Sequence, residues 1–295
     1  MTGDAGGRRI RLDIAYDGSG FHGWARQPGL RTVQGTLEDA LGRVLGGEPR
    51  LVVAGRTDAG VHASGQVAHL DLDAAQAGRA AAPRRGGAAP ADPVAPLARR
   101  VQGVLRPYAD VAVARTSSAP AGFDARFSAV WRRYAYRIAD ETAGYDPLRR
   151  RDTTLVRARL DVAAMDAAAR SLVGLHDFAA YCKPREEATT IRTLLEFDWR
   201  RGEDGALVAN VRADAFCHSM VRALVGACVA VGQGRLEVAD VARLRDELTR
   251  TSAFAVLDAR GLTLAEVGYP VDDQLAARAD QTRARRGADE VMGSS

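Results

Sequence analysis

Apolar residues recur along this chain either at every second position, as in a strand, or at helical spacing. The strands and helices that these spacings predict occur in a similar order in the two halves of the chain. Ile10, Leu12 and Ile14 alternate with charged residues, which predicts a strand over residues 9–16. Behind Thr32, a typical N-cap, apolar positions at helical spacing predict a helix over residues 33–44. The pattern then predicts two strands, a helix and a further strand, at residues 50–56, 65–72, 97–105 and 110–116.

The order starts again at residue 129. A strand over residues 129–139 places Tyr134, Tyr136 and Ile138 on one face. A helix, two strands, two helices and a closing strand follow, at residues 161–173, 192–201, 205–213, 216–232, 237–249 and 262–267. Each half therefore indicates the β-α-β-β-α-β order that is typical of a ferredoxin-like arrangement. We predict an α+β protein with two ferredoxin-like halves, whose antiparallel sheets form a central cleft.

The same pattern predicts the domain organisation. The N-terminal half covers residues 9–128, and the C-terminal half covers residues 129–270. Residues 1–8 are expected to be a flexible N-terminus, and the polar residues 271–295 a disordered tail. Residues 74–93 are rich in Ala, Gly, Pro and Arg without any period, which predicts a mobile insertion in the N-terminal half.

Composition narrows the class of protein. The 295 residues are 46% hydrophobic, which is enough for a sizeable core. No run approaches the ~20 apolar residues of a membrane span, and the first residues, MTGDAGGRR, lack the apolar segment of a signal peptide. We expect a cytoplasmic protein with no membrane association.

Charge and metal-binding residue types point to a polyanionic partner rather than a metal. The formal net charge is +4, and Lys183 is the single lysine, so the cationic side chains are nearly all arginine. Arginine is the side chain best suited to phosphates. Cys182, Cys217 and Cys228 form no C-x-x-C pair, and the five histidines lack ligand spacing. We therefore predict no metal site.

The segment AGRTDAGVH, residues 54–62, carries the clearest chemical signal. It places Arg56 and Asp58 between two glycines, which let the backbone bend and a ligand approach. Arg56 can hold Asp58 ionised, as a nucleophile or a base requires. The structural alternative is an aspartate that caps its own turn beside an arginine in a surface ion pair.

Five sequence blocks, in order, resemble the TruA family of tRNA pseudouridine synthases. AGRTDAGVHASGQVAHLDL is preceded by YDGSGFHGWARQ and followed by FDARFSAVWRRYAY, DAFCHSMVRALVGACVAVG and GLTLAEVGYP. The resemblance covers residues 8–270. It implies an isomerase that converts uridine to pseudouridine at positions 38–40 in the tRNA anticodon stem-loop, without a cofactor or metal. It also implies a homodimer and a target base that is flipped out of the stem.

The resemblance also implies roles for particular residues. Asp58 corresponds to the catalytic aspartate, acting either as a nucleophile or as a base. Arg56 would orient Asp58, Tyr134 would stack on the uracil, and Arg222 would face Asp58 in the active site. Two segments correspond to RNA-contacting stretches of the family: Phe123, Asp124, Ala125, Arg126 and Phe127, and then Thr189, Thr190, Ile191 and Arg192.

The chain departs from the family pattern where an arginine flips the base. The insertion blurs that position, which leaves four candidates: Gln76, Arg79, Arg84 and Arg85.

Three other functions are compatible with the sequence. They are a pseudouridine synthase for another RNA, a non-catalytic RNA-binding or chaperone protein, and a glycosidase that pairs Asp58 with Asp71 or Asp73. The presence of Asp58, Tyr134 and Arg222 together favours a synthase over a binding protein.

Overall fold

The computed structural model describes residues 8–82, 90–184 and 189–284. The chain divides into two compact units. Unit 1 contains the chain up to Val130 together with the segment from Val267 onward, and unit 2 spans Trp131–Glu266. The boundary lies close to residue 128, where the sequence predicts it, but the sequence does not predict the return of the C-terminal segment to unit 1.

Unit 1 is built around a central strand. Up to Val130, its elements are β1 (Arg8–Tyr16), α1 (Val33–Leu45), β2 (Val52–Val53), β3 (His62–Leu72), α2 (Ala74–Ala80), α3 (Pro96–Leu105) and β4 (Val111–Ser118). Strand β1 lies antiparallel to both β3 and β4, and the short β2 pairs with β3. Ile10, Leu12 and Ile14 of β1 are at most 1% exposed, so the alternation in the sequence marks the face that packs into the core.

Helix α2 occupies part of the segment 74–93, and the prediction of a mobile insertion is wrong for residues 74–80. Asp73 Oδ1 accepts a hydrogen bond from the Gln76 N–H at 2.7 Å, and Gln76 Oε1 accepts one from the Asp73 N–H at 3.2 Å. This reciprocal capping box starts the helix without an apolar period. Residues 83–89 lie outside the described residues.

The strands of unit 2 pair mainly in the antiparallel direction. The elements of this unit are β5 (Trp131–Ala139), β6 (Thr154–Leu155), α4 (Val162–Arg170), β7 (Gly174–Asp177), β8 (Ile191–Arg201), β9 (Leu207–Ala213), α5 (Met220–Gly232), α6 (Val238–Asp246) and β10 (Leu262–Gly268), which ends in unit 1. The strand order is β10-β5-β9-β8-β7, and β6 pairs in parallel with β5. The sequence does not predict β6 and β7, because strands of two and four residues are too short to show a period.

Helix α5 packs against α4 and α6 in unit 2. It begins at Met220 rather than at residue 216, because Ser219 before it has a left-handed backbone with φ +65°. Every position of α5 except Arg222 is buried. Gly226 lets another segment approach closely, since a Cβ there would lie 1.9 Å from the Ala255 carbonyl oxygen.

A last helix, α7 (Leu275–Ala284), corrects the prediction that residues 271–295 are a disordered tail. Leu275 is 2% exposed, and its carbonyl oxygen accepts a hydrogen bond from Ser128 Oγ at 3.1 Å. These contacts fix the C-terminal segment in unit 1. Residues 285–295 lie outside the described residues.

The structure confirms the α+β class, with helices and antiparallel strand pairs in both units. Over the ranges that the structure describes, no helix combines the length and the apolar character needed to cross a bilayer.

Candidate active site

The AGRTDAGV loop joins two antiparallel strands, β2 and β3. Arg56 is exposed, Asp58 is partly exposed, and Thr57 between them is only 6% exposed. Asp58 is therefore in part accessible from solvent, while the residue before it is fixed in the core. A reactive group on a loop that a rigid scaffold holds is a common arrangement in enzymes.

Thr57 is fixed through both its side chain and its backbone. Its Oγ1 lies 2.8 Å from the Tyr16 hydroxyl, and its carbonyl oxygen accepts a hydrogen bond from the Trp24 N–H at 3.0 Å. Gln66 Nε2 donates to the Gly55 carbonyl oxygen at 2.8 Å and to the Tyr16 hydroxyl at 3.3 Å. The loop is therefore anchored immediately before the aspartate.

The loop is also fixed after the aspartate. The Val61 N–H donates to the Asp58 carbonyl oxygen at 3.2 Å, and Gly60 has φ +79°, a conformation that favours glycine. Gly18 packs against this turn, and its N–H donates to His62 Nδ1 at 3.0 Å. A Cβ on Gly18 would lie 2.0 Å from the Val61 carbonyl oxygen, so only glycine fits there without a shift.

Gly18→Ala is expected to destabilise unit 1 by ~1–3 kcal/mol, because the new Cβ and the Val61 carbonyl cannot both keep their positions. Gly103→Ala is the control, since Gly103 is exposed on α3 with no atom within 4 Å of the added Cβ. That change is expected to stabilise by up to about 1 kcal/mol, because alanine is the better helix former. Denaturant unfolding measures both. Equal stabilities of the two variants would contradict the close approach of Gly18.

The predicted RNA-contacting segment Phe123–Phe127 lies in unit 1, and its first three residues are buried. Asp124 Oδ1 accepts hydrogen bonds from the N–H groups of Arg126 and Phe127, at 2.9 Å each, so this carboxylate holds the turn. Arg126 is exposed, and its guanidinium carbon lies 5.2 Å from the centre of the Phe127 ring. Of the five residues, Arg126 and Phe127 are those whose side chains reach solvent.

Two of the four base-flipping candidates take part in the packing of unit 1. Gln76 Nε2 donates to the Gly46 carbonyl oxygen at 3.0 Å, and Arg79 Nε donates to the Leu45 carbonyl oxygen. Both side chains tie α2 to the end of α1. The other two candidates, Arg84 and Arg85, lie outside the described residues.

Tyr134 lies in unit 2, in the middle of β5 and opposite Val211 of β9. It is 8% exposed, and the Phe216 ring meets it edge-on with ring centres 5.1 Å apart. Tyr136 is fully buried, and its hydroxyl donates to the Asp258 carbonyl oxygen at 2.7 Å. Tyr136 is therefore a core residue, whereas Tyr134 keeps a small exposed area.

Arg222 lies in the first turn of α5, also in unit 2. Its Nη2 donates to Ser219 Oγ at 2.9 Å, and its carbonyl oxygen accepts a hydrogen bond from the Leu257 N–H at 3.2 Å. Its side chain is therefore held against the start of its own helix. The expectation that Arg222 faces Asp58 stays a prediction.

The second predicted RNA-contacting segment lies at the start of β8. Thr190 Oγ1 donates to Asp177 Oδ1 at 2.6 Å, and Arg192 Nη2 donates to the Thr189 carbonyl oxygen at 2.6 Å. Ile191 is 53% exposed. The segment is thus held by one internal hydrogen bond and by one to the end of β7, and contact with RNA stays a prediction.

The carboxylates that a glycosidase would pair with Asp58 have other partners. Asp71 accepts two hydrogen bonds from Arg9, at 2.6 and 2.7 Å, and these lower the pKa of Asp71. Asp73 caps α2. A glycosidase needs one carboxyl whose pKa is raised so that it can act as an acid, whereas the pKa of Asp71 is lowered and the Asp73 carboxylate is engaged by the N-terminus of α2.

Possible metal ligands are dispersed. Across residues 8–82, 90–184 and 189–284, no three His, Cys, Asp or Glu side chains come together as an ion site. The three cysteines are free thiols.

The sequence did not identify Tyr16 and Gln66 as the residues that hold the loop. One signal was present, because Gln66 precedes the apolar Val67 and Ala68, and a buried amide must find hydrogen-bond partners. Its two partners outside its own strand lie 11 and 50 residues away in the chain, so local spacing does not reveal them.

Known proteins of similar sequence identify the family. A family model described as tRNA pseudouridine synthase matches residues 168–270. A tRNA pseudouridine synthase A from Leifsonia xyli subsp. xyli is 62% identical over 281 residues, 94% of this chain and 97% of the relative. Proteins of the same name from Frankia casuarinae and Streptomyces avermitilis are 55% and 52% identical, each over 94% of this chain and over 95% and 94% of the relative. Similarity to a solved Cbf5-Nop10-Gar1 complex is weak, with a TM-score of 0.29 and 11% identity over 75% of this chain and 54% of that chain. The chain therefore belongs to the TruA family of tRNA pseudouridine synthases, and it is an isomerase that acts on tRNA.

Proposed function

We propose that this isomerase converts uridine to pseudouridine at positions 38–40 of the tRNA anticodon stem-loop, with Asp58 as the catalytic carboxylate. The observation that carries the proposal is the anchoring of the Asp58 loop, which fixes Thr57 in the core and leaves Asp58 partly exposed. A flexible surface turn would need no such support.

The reaction is an intramolecular transfer and needs one well-placed carboxylate. The N1–C1′ bond of uridine breaks, the base turns, and a C5–C1′ bond forms. The proton on C5 leaves and N1 gains a proton, so no atom is gained or lost. Asp58 serves either by covalent attack or by removing a proton, and both roles require the ionised form. The uracil of a closed stem is inaccessible, so the base must be flipped out first.

The other predicted residues take supporting roles in this proposal. Arg56, exposed beside Asp58, orients the carboxylate and meets the RNA. Tyr134 stacks on the extracted uracil, and Arg222 binds the substrate. Arg126, exposed in unit 1, is suited to a phosphate contact.

We further propose the finer architecture and setting that the family resemblance implies. Each half has the ferredoxin-like arrangement, and the enzyme works in the cytoplasm as a homodimer. Light scattering at micromolar concentration should then give about twice the 31.4 kDa of one chain. A monomer that still modifies tRNA would contradict the assembly.

Pseudouridine mapping tests the site of modification. In tRNA from cells that lack the gene, pseudouridine at positions 38–40 should disappear, and the intact gene should restore it. A gene that encodes Asp58→Asn should fail to restore it. Unchanged modification at these positions, with a loss in another RNA, would instead identify a synthase with a different substrate.

A further inference from the structure

A buried polar cluster in unit 1 lies directly behind the catalytic loop. It consists of Tyr16 on β1, Thr57 in the loop and Gln66 on β3, with exposed fractions of 5%, 6% and 0%. Burying a hydroxyl or an amide costs free energy unless the group is hydrogen-bonded. The side chains of this cluster avoid that cost by hydrogen-bonding to one another.

The hydrogen bonds of the cluster reach the loop at two points. Gln66 Nε2 donates to the Gly55 carbonyl oxygen at 2.8 Å, at the start of the loop. Gln66 Nε2 also donates to the Tyr16 hydroxyl at 3.3 Å, and that hydroxyl lies 2.8 Å from Thr57 Oγ1. Two strands therefore hold the residues on either side of Arg56, and Thr57 immediately precedes Asp58 in the chain.

The ring of Tyr16 is itself held in place. Its centre lies 6.4 Å from that of Phe21, edge-on, and 6.1 Å from that of Trp24. The Trp24 N–H donates to the Thr57 carbonyl oxygen at 3.0 Å. Thr57 thus meets this aromatic cluster through its side chain and through its backbone.

We propose that Tyr16 and Gln66 are positioning residues, which set the location of the Asp58 carboxylate by holding Thr57 and Gly55. This inference rests on the proposed catalytic role of Asp58. Hydrogen bonds are suited to positioning the loop because they depend on direction as well as on distance, whereas apolar packing constrains direction less. Neither residue acts on the substrate.

The Tyr16 hydroxyl acts here without exchanging a proton. Burial raises the pKa of Tyr16 to about 12, although its hydrogen bonds to Thr57 and Gln66 oppose the shift. The hydroxyl is therefore protonated throughout the pH range in which an enzyme works. Removing it should lower the rate by a similar factor at every pH and leave the shape of the pH–rate profile unchanged.

Tyr16→Phe tests the proposal, because it keeps the ring and removes the hydroxyl. With full-length tRNA as substrate, kcat should fall about tenfold or more, since a displacement near 1 Å at a reacting group costs on the order of a hundredfold. KM and the Kd for tRNA should stay within about twofold, because RNA binding depends on many phosphate contacts. The profile of rate against pH should keep its shape.

Tyr181→Phe is the matched control. Tyr181 is a buried tyrosine of unit 2, 1% exposed, whose hydroxyl donates to the Val241 carbonyl oxygen at 2.7 Å. Loss of this hydroxyl should lower thermal stability by a comparable amount and leave kcat near that of the wild type. Similar losses of kcat in both variants would overturn the proposal, because the effect would then be one of general stability.

Two variants of Thr57 keep the proposal testable if Tyr16→Phe fails to fold. Thr57→Ser retains the hydroxyl that meets Tyr16 and should retain most of the activity, whereas Thr57→Val removes the hydroxyl and should lose it. Equal activity of the two would overturn the proposal.

Asp58→Asn, assayed with these variants, distinguishes a failure of the positioning role from a failure of the catalytic assignment of Asp58. If Asp58→Asn is inactive and Tyr16→Phe is fully active, the positioning role is wrong and the catalytic assignment stands. If Asp58→Asn is active, both are wrong.

Discussion

Asp58→Asn should abolish pseudouridine formation and leave both the fold and RNA binding intact. Asparagine has nearly the same shape as aspartate but no negative charge, so it serves neither as a nucleophile nor as a base. Asp58 is partly exposed in a loop, and the hydrogen bond that its backbone carbonyl accepts from the Val61 N–H does not depend on the charge of the side chain. Asp58→Glu keeps the charge but shifts the carboxylate by one methylene, and it should lose on the order of a hundredfold in kcat.

The measurement is pseudouridine formation on an anticodon stem-loop RNA, with a binding assay on the same RNA. Asp71→Asn is the control, because Asp71 is a carboxylate of the same unit that pairs with Arg9 at the surface. It should retain near wild-type turnover. Substantial turnover by Asp58→Asn would exclude Asp58 from the chemistry, and a loss with Asp71→Asn would revive a mechanism with two carboxylates.

Asp140→Ala should destabilise unit 2 by ~3–5 kcal/mol, the largest effect on stability that we expect from a single charged residue. The Asp140 side chain is fully buried and forms two parallel hydrogen bonds with Arg201, at 2.9 and 2.8 Å. It also accepts a hydrogen bond from the Ala143 N–H at 3.0 Å, just after β5 ends. Alanine would leave the partly buried Arg201 without this partner and the loop without its cap.

The control is Glu247→Ala. Glu247 pairs with Arg243 at 3.0 Å, but the two side chains are 47% and 62% exposed, and exposed pairs contribute about 1 kcal/mol or less. Denaturant unfolding at neutral pH compares the two variants. A loss below about 1 kcal/mol for Asp140→Ala would show that the buried pair does not stabilise unit 2.

Acid should remove the stabilisation that the Asp140–Arg201 pair gives to unit 2, within a defined range of pH. Burial alone raises the pKa of Asp140, but the hydrogen bonds from Arg201 and the backbone outweigh it and lower the pKa to about 2. An unfolded aspartate titrates near pH 3.9, so the stabilisation is complete above roughly pH 5 and is lost as the pH falls towards 2. The difference in stability between the wild type and Asp140→Asn should therefore be on the order of 2 kcal/mol at pH 7 and shrink below pH 4.

Local periodicity predicted the main strands and helices, because burial on one face leaves a period in the sequence. The alternation at Ile10, Leu12 and Ile14 corresponds to β1, and the helix predicted from residue 33 corresponds to α1. Where an element depends on distant partners, the period is absent. Helix α2 depends on its own cap and on contacts from Gln76 and Arg79 to the end of α1, about thirty residues away.

In the candidate site, too, the features with a local sequence pattern could be predicted and those that depend on distant residues could not. The loop with Arg56 and Asp58 was predicted from its glycines, its charges and its place after an apolar run. Its anchors were not, because Tyr16 lies 41 residues from Thr57 in the chain. Such contacts exist only once β1 and β3 have paired, and no local pattern encodes them.

The return of the C-terminal segment to unit 1 has a consequence for synthesis on the ribosome. Unit 2 is translated entirely between the two segments that make up unit 1. At a translation rate of about 5–20 residues per second, roughly ten seconds or more pass between synthesis of the first segment of unit 1 and synthesis of helix α7. During that time Asp124 lacks Arg283, and Ala125 lacks the Tyr269 hydroxyl that donates to its carbonyl oxygen at 2.7 Å. Nascent chains that have emerged from the ribosome as far as Glu266 should therefore carry a folded unit 2 and an incomplete unit 1, so that the part of the enzyme made first is the last to mature.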